Sequence, residues 1–250
     1  VILLIDIGNS NIVMSQYDGA KLSDTYRYKT DKTKTTDEYY VLLRTVMDGV
    51  TDVAISSVVP ELNEIFKSIF EKYYHFTPLF ISPGVKTGVK IKADNPKEVG
   101  ADIVAAAAGA IHFYGDDSIV IDMGTATTIT YIKDKAIRGV FITAGLVTQR
   151  DALIGGASQL SQFEFKAPKS ILGTNTIDCL NAGLLHGHAT MIEGVVNKIR
   201  SQYGGHPHVI LTGGASRFIE PVMTDTSVQF EQQLVLRGLI EIYKKNRLID

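Results

Sequence analysis

Cysteine occurs once in the chain, at Cys179, which excludes an intramolecular disulfide and fits a reducing compartment. Beside Leu180 and Ala182 in a helical stretch, it reads as a small buried apolar residue rather than a nucleophile. Long apolar runs are missing: none approaches the roughly 18 residues of a membrane span. The opening Val1-Ile2-Leu3-Leu4-Ile5 is too short for a signal-peptide core and has no basic flank. A cytoplasmic location without a membrane partner is therefore expected. Excess charge is also lacking, since 25 Lys and Arg against 27 Asp and Glu leave a formal net charge of -2. That argues against nucleic acid, which attracts a basic face. A nucleotide site needs only local donors, so ATP stays open. No Gly-x4-Gly-Lys-Ser/Thr loop and no protein-kinase catalytic loop occur, which removes those ATP folds.

What is present is an ordinary globular composition, with 45% apolar residues over 250 positions. That length suffices for two lobes, each with its own core. A first apolar run ends in Asp6-Ile7-Gly8-Asn9-Ser10-Asn11 and resumes at Ile12-Val13-Met14, which predicts a hairpin with positive φ at its Gly or Asn. Another strand is expected near Tyr26–Tyr28, and Thr35 with Glu38 forms a capping box that opens a helix. Val53–Val58 reads as a buried strand stopped by Pro60, followed by a helix with Leu62, Ile65, Phe66, Ile69, Phe70 and Tyr73 on one face. Asn95-Pro96-Lys97-Glu98 predicts the start of a helix running to Phe113. At Ile119 the opening pattern returns, with Asp122-Met123-Gly124-Thr125-Ala126-Thr127 at the end of an apolar strand and a β-rich return behind it. Two such units predict a duplicated lobe, with domains at 1–114 and 115–250. Further elements are expected as a helix over 176–200, a strand at 209–211 and an amphipathic terminal helix over 234–245.

One Asp-x-Gly turn decides nothing, because many α/β strands end that way. A pair supplies two carboxylates, glycines that admit phosphate to backbone, and hydroxyl or amide donors beside them. Leu211-Thr212-Gly213-Gly214-Ala215 adds a strand followed by glycines where a base or phosphate can lie flat. In chain order these resemble the two phosphate motifs and the adenosine motif of the sugar kinase, heat-shock 70 and actin superfamily. The fold class expected is α/β: two ribonuclease-H-like lobes of the actin-like ATPase fold, duplicated, with a cleft between them. Phosphoryl transfer also needs a group to accept the attacking hydroxyl's proton. Asp102 in Glu98-Val99-Gly100-Ala101-Asp102 is the candidate, although a carboxylate near a helix N-terminus is favourable without any such role.

Over nearly its whole length the sequence resembles type III pantothenate kinase. The matching stretches are Leu4–Ser10, Thr36–Tyr39, Ser57–Pro60, Asn95–Asp102, Asp122–Thr128, Gly173–Thr176 and Thr212–Gly214. The resemblance implies ATP-dependent phosphorylation of pantothenate to 4'-phosphopantothenate, the first step of coenzyme A biosynthesis. It implies an ATP phosphate loop of Asp6, Ile7, Gly8, Asn9, Ser10, Asn11, Ile12 and Val13, with Asp6 nearest Mg2+ and Thr125 also on ATP. Asp102 is implied as catalytic base, and Gly100, Ala101, Asp102 and Ile103 as the pantothenate pocket. Asp122 is implied to hold a monovalent cation, K+ or NH4+. Thr176, which by itself reads as a helix N-cap, is implied to reach pantothenate from the neighbouring subunit of a homodimer. Ala182, Gly183, Gly187, Ala189 and Gly194 give one helix a small-residue surface, suited to a partner helix or to packing within the chain.

The pattern is departed from at three places. Ile103 stands where the family carries Arg, Ala93 where Tyr is common, and Arg138–Leu146 lacks one Gly and the Pro of a Gly-Gly-x-Ile-x-Pro-Gly loop. Arg138, Arg150 and Lys166 are candidates for the missing charge. A kinase for another small hydroxylated metabolite and a catalytically weakened regulatory paralogue are the alternative functions. His186 and His188, two apart on a helix, diverge and read as surface polar residues. His206 and His208 read as loop residues, and Lys29, Lys32 and Lys34 as an exposed loop.

Overall fold

A computed structural model describes residues 1–157 and 160–247. By contact the chain forms two compact units, one of Val1–Phe113 together with the chain from Leu234 onward, the other Tyr114–Gln233. The terminal helix thus belongs to the first unit, whereas the sequence boundary near residue 115 assigned it to the second lobe.

In the first unit, β1 (Ile2–Ile7) is buried on both faces because every residue but Asp6 is aliphatic. It pairs antiparallel with β2 (Asn11–Tyr17), which pairs with β3 (Tyr26–Lys29). Helix α1 (Thr36–Leu43) opens on the expected capping box, with the Thr35 N–H donating to Glu38 Oε2 at 2.8 Å. Strand β4 (Asp52–Ser57) runs parallel to β1, and after α2 (Pro60–Ile69) the short β5 (Leu79–Phe80) extends the sheet to the order β3-β2-β1-β4-β5. Leu3, Ile5, Ile7, Ile12, Met14, Tyr39, Leu43, Val53, Ile55, Leu62 and Phe66 form the core on one side. The segment after the short β6 (Lys90–Ile91) departs from expectation. Pro96–Glu98 makes only a 3-10 turn, Val99 is extended, and α3 (Ala101–Tyr114) starts afresh behind Gly100.

The second unit repeats this order. Strand β7 (Asp117–Met123) pairs antiparallel with β8 (Ala126–Lys133), which pairs with β9 (Ala136–Ala144). After α4 (Leu146–Gly156) and α5 (Thr176–Tyr203), β10 (His208–Thr212) lies parallel to β7. Helix α6 (Ser216–Ile219) and β11 (Gln229–Phe230) complete it, so the strands run β9-β8-β7-β10-β11, the counterpart of the first sheet. Its core joins Ile119, Ile121, Ile129 and Leu211 of the sheet to Leu185, Ala189, Ile192 and Val196 of α5.

Helix α7 (Leu234–Asn246) returns to the first unit and packs on β1, β2 and β4. Asp52 of β4 accepts from Arg247 and, at 2.7 Å, from the Tyr243 hydroxyl. Burial and the adjacent carboxylate push the Tyr243 phenol up to about 12. Where α3 and α7 cross, Gly109 faces the Leu234 carbonyl and Gly238 faces the Ala105 carbonyl, so neither position has room for a side chain. Among the described residues no helix is long and apolar enough to cross a membrane.

Candidate active site

The two Asp-x-Gly turns occupy the same place in their units, at the end of the central strand. In the first, the Gly8 N–H donates to the Asn11 carbonyl at 3.0 Å; in the second, the Gly124 N–H donates to the Ala126 carbonyl at 3.0 Å. The positive φ expected at a Gly or Asn of the first turn is found at none of Gly8, Asn9 and Asn11. A Cβ on Gly8 would lie 3.1 Å from the Asn11 carbonyl oxygen, a tight contact that a small shift of the turn could relieve. Asn9, Ser10 and Asn11 are exposed and Asp6, Gly8 and Val13 half-buried. Ile7 and Ile12 are fully buried. Thr30, which the sequence did not single out, braces this turn. Its hydroxyl donates to the Gly8 carbonyl at 2.6 Å and its N–H to the Ser10 carbonyl at 3.1 Å. Of the lysines nearby, Lys32 pairs with Glu61 and Lys34 with Asp31.

The helix break at Val99 places Asp102 in the first turn of α3. Its carboxylate folds back over Gly100, where any Cβ would collide with Oδ1, and accepts from the Ile103 N–H at 2.8 Å. Desolvation pushes its carboxyl above the usual Asp range, only partly offset by the N–H groups of Ile103 and of Asp102 itself. Val58 connects this turn to the phosphate turn. Its N–H donates to the Ile7 carbonyl at 3.0 Å, and its Cγ1 lies 3.5 Å from the position of a Gly100 Cβ. Ala101 and Ile103 are half-buried beside Asp102, and Ala93 is exposed.

In the second unit Asp122 is half-buried at the end of β7, in register with Thr212 of β10 and Thr128 of β8. Gly213, at φ +91°, presses against it: a Cβ would lie 2.5 Å from Asp122 Oδ1. The third glycine motif and the second turn therefore meet within one unit. Thr125 is exposed, and its carbonyl accepts from the Gly145 N–H at 3.0 Å and from the Thr148 hydroxyl at 2.7 Å. Gly145 is one of the two glycines that the altered loop keeps, and a Cβ on it would strike the Gly124 and Thr125 carbonyls. An open hollow of about 440 Å3 beside it is lined in part by Thr148, Gln149 and Leu153.

Several sequence expectations change here. Asn175, not Thr176, caps α5, accepting from the Asp178 N–H at 3.0 Å, which leaves Thr176 exposed as the first helical residue. Cys179 is exposed rather than buried. His188 is buried, bonded to Thr127 and Gln149, and not a surface residue. Arg138 is engaged by Asp134 and Arg150 by Asp151. The Lys166 N–H donates to the buried Asn181 side chain at 3.0 Å, fixing that segment to α5.

A family model for type III pantothenate kinase matches residues 2–198. The chain belongs to that family. A type III pantothenate kinase of Acholeplasma laidlawii is 41% identical over 249 residues, covering 98% of this chain and 99% of the relative. One of Halalkalibacterium halodurans is 40% identical over 254 residues, covering 98% and 100%. A solved Campylobacter jejuni structure, described as a Baf family transcriptional activator, is 20% identical, covers 98% of both chains and superposes with a TM-score of 0.64. That likeness bears on the fold alone, which is the actin-like ATPase fold. As a type III pantothenate kinase the chain is an ATP-dependent phosphotransferase that phosphorylates pantothenate in coenzyme A biosynthesis.

Proposed function

We propose that Asp102 is the base of this kinase, accepting the proton of the primary hydroxyl of pantothenate as its oxygen attacks the γ-phosphorus of ATP, with ADP leaving and 4'-phosphopantothenate formed. The observation that carries this is the meeting, through Val58, of the Gly100–Asp102 turn with the end of β1. A desolvated carboxylate is a stronger base than a solvated one, and Asp102 has that setting. Gly100, Ala101 and Ile103 line the acceptor side. The backbone of Asp6–Val13, with Asn9, Ser10 and Asn11 exposed, receives the ATP phosphates. In the second unit, Thr125 contacts ATP.

Among the described residues no three His, Cys, Asp or Glu side chains gather into a metal cage. Single half-buried carboxylates nonetheless fit the ions that the family implies. Mg2+ keeps waters and phosphates as most of its ligands, so Asp6 alone is an adequate protein contribution. Asp122, held against Gly213 with Thr212 and Thr128 in register, is an all-oxygen setting for K+ or NH4+. When bound, these cations offset phosphate charge.

We also propose a homodimer in which Thr176 of the partner subunit reaches pantothenate. In support, a Cβ on Gly183, Gly187 or Gly194 would meet nothing within 4 Å, while Ala182 and Ala189 point into the core. The glycine face of α5 is thus open. Near Thr176, Ile171 and Leu172 are 64% and 78% exposed. A cytoplasmic site of action goes with this reading. A coupled ADP-release assay tests the assignment: turnover should need pantothenate, rise with K+, and vanish in Asp102→Asn without loss of ATP binding. Normal turnover by that variant removes Asp102 from the role.

A further inference from the structure

His188 lies on the sheet-facing side of α5, 3% exposed, and both of its ring nitrogens are engaged. Nε2 is 2.9 Å from Thr127 Oγ1, and Nδ1 is 3.2 Å from Gln149 Nε2. The Gln149 amide also donates to the Ala144 carbonyl at 2.8 Å, which fixes its orientation. Turned over, it would set its own oxygen against that carbonyl. The Gln149 nitrogen therefore donates to Nδ1, Nδ1 carries the lone pair, and the proton sits on Nε2, donating to Thr127. Burial agrees with a neutral ring, holding the His188 pKa below the usual histidine value.

The two partners flank the second phosphate turn. Thr127 follows Thr125 by two residues on the strand that leaves the turn. Gln149 follows Thr148, whose hydroxyl holds the Thr125 carbonyl. The Gln149 N–H in turn donates to the carbonyl of Gly145, whose own N–H donates to that Thr125 carbonyl. One imidazole thus joins the departing strand to the helix start that grips the turn. We infer that His188 is a positioning residue for ATP, holding the Thr125 turn in its binding geometry through a fixed Nε2–H tautomer. The inference rests on the reading of Thr125 as an ATP contact, and His188 acts only through Thr127 and Gln149.

Steady-state kinetics on wild type, His188→Ala, His188→Gln, Thr127→Val and Thr125→Ala test it. His188→Ala should raise the KM for ATP about tenfold, as for loss of a buried hydrogen-bonded pair, with kcat and the KM for pantothenate within about twofold. His188→Gln, whose amide nitrogen reaches the place of Nε2, should recover most of that loss. Thr127→Val should match His188→Ala, and combining the two should add little further, because they remove the same bond. Nitrogen-15 spectra of histidine-labelled wild type should show a neutral Nε2–H tautomer at His188. An unchanged KM for ATP in folded His188→Ala, with Thr125→Ala raising it, overturns the inference and spares the Thr125 reading. An unchanged KM in Thr125→Ala removes that reading and the inference with it. Should His188→Ala fail to fold, Thr127→Val and the tautomer decide, and either an unaffected KM for ATP or an Nδ1–H ring overturns the inference.

Discussion

At the scale of single residues, Asp102 sets function against stability. Its folded-state pKa is raised by desolvation, so the folded chain holds that proton more tightly than the unfolded chain does. Stability therefore falls as pH rises from the ordinary carboxylate value through the raised one, and the cost persists above it. Asp102→Asn should raise the melting temperature at pH 7 and leave it nearly unchanged in acid, below the ordinary carboxylate range, which calorimetry at the two pH values would read. The same change should cut turnover by about 10²–10⁴ or more. In wild type, kcat/KM for the free enzyme should fall on the acid side with an inflection above the usual Asp value. Ile103 carries a second prediction: restoring a guanidinium with Ile103→Arg should lower the KM for pantothenate about tenfold, the worth of a charged hydrogen bond to its carboxylate. Asp102 was legible in the sequence as a candidate because small residues surround it. Its desolvation was not, because that depends on what packs over it.

At the scale of elements, the contact of Gly145 with the Gly124–Thr125 turn is the most exposed to test. Gly145→Ala drives a methyl group into two carbonyl oxygens, and should cost about 1–3 kcal/mol of stability while weakening ATP binding. Gly139→Ala on β9, where a Cβ meets nothing within 4 Å, should stay within about 0.5 kcal/mol. Denaturant titration of both variants separates the cases. The strands and most helices were readable from local pattern: the apolar runs of β1 and β7, the capping box at Thr35, the apolar face of α2. The break at Val99 was hidden because Asn-Pro-x-Glu is also a good helix start, and only the extended Val99 backbone ends the 3-10 turn. His188 was hidden for a different reason. Its partners lie 61 and 39 residues away, and spacing along one helix says nothing of which face meets a sheet.

At the scale of the whole molecule, the duplication announced by two Asp-x-Gly turns extends to matching strand orders. The end of the chain does not follow that symmetry, because α7 had the amphipathic pattern of any terminal helix and nothing local named the sheet it covers. The proposed dimer gives a prediction here: Gly187→Arg should shift the sedimentation coefficient to that of a monomer and lower turnover, while an unchanged coefficient argues against the α5 face. The return of α7 to β1, β2 and β4 also governs how the protein is made. A ribosome releases the first sheet early, yet the helix that shields it emerges only after all of Tyr114–Gln233. The nascent first unit must wait, one apolar side uncovered, through the synthesis of an entire second unit. Stop codons placed just before Leu234 should consequently yield aggregates or chaperone-bound chains rather than a slightly shortened kinase.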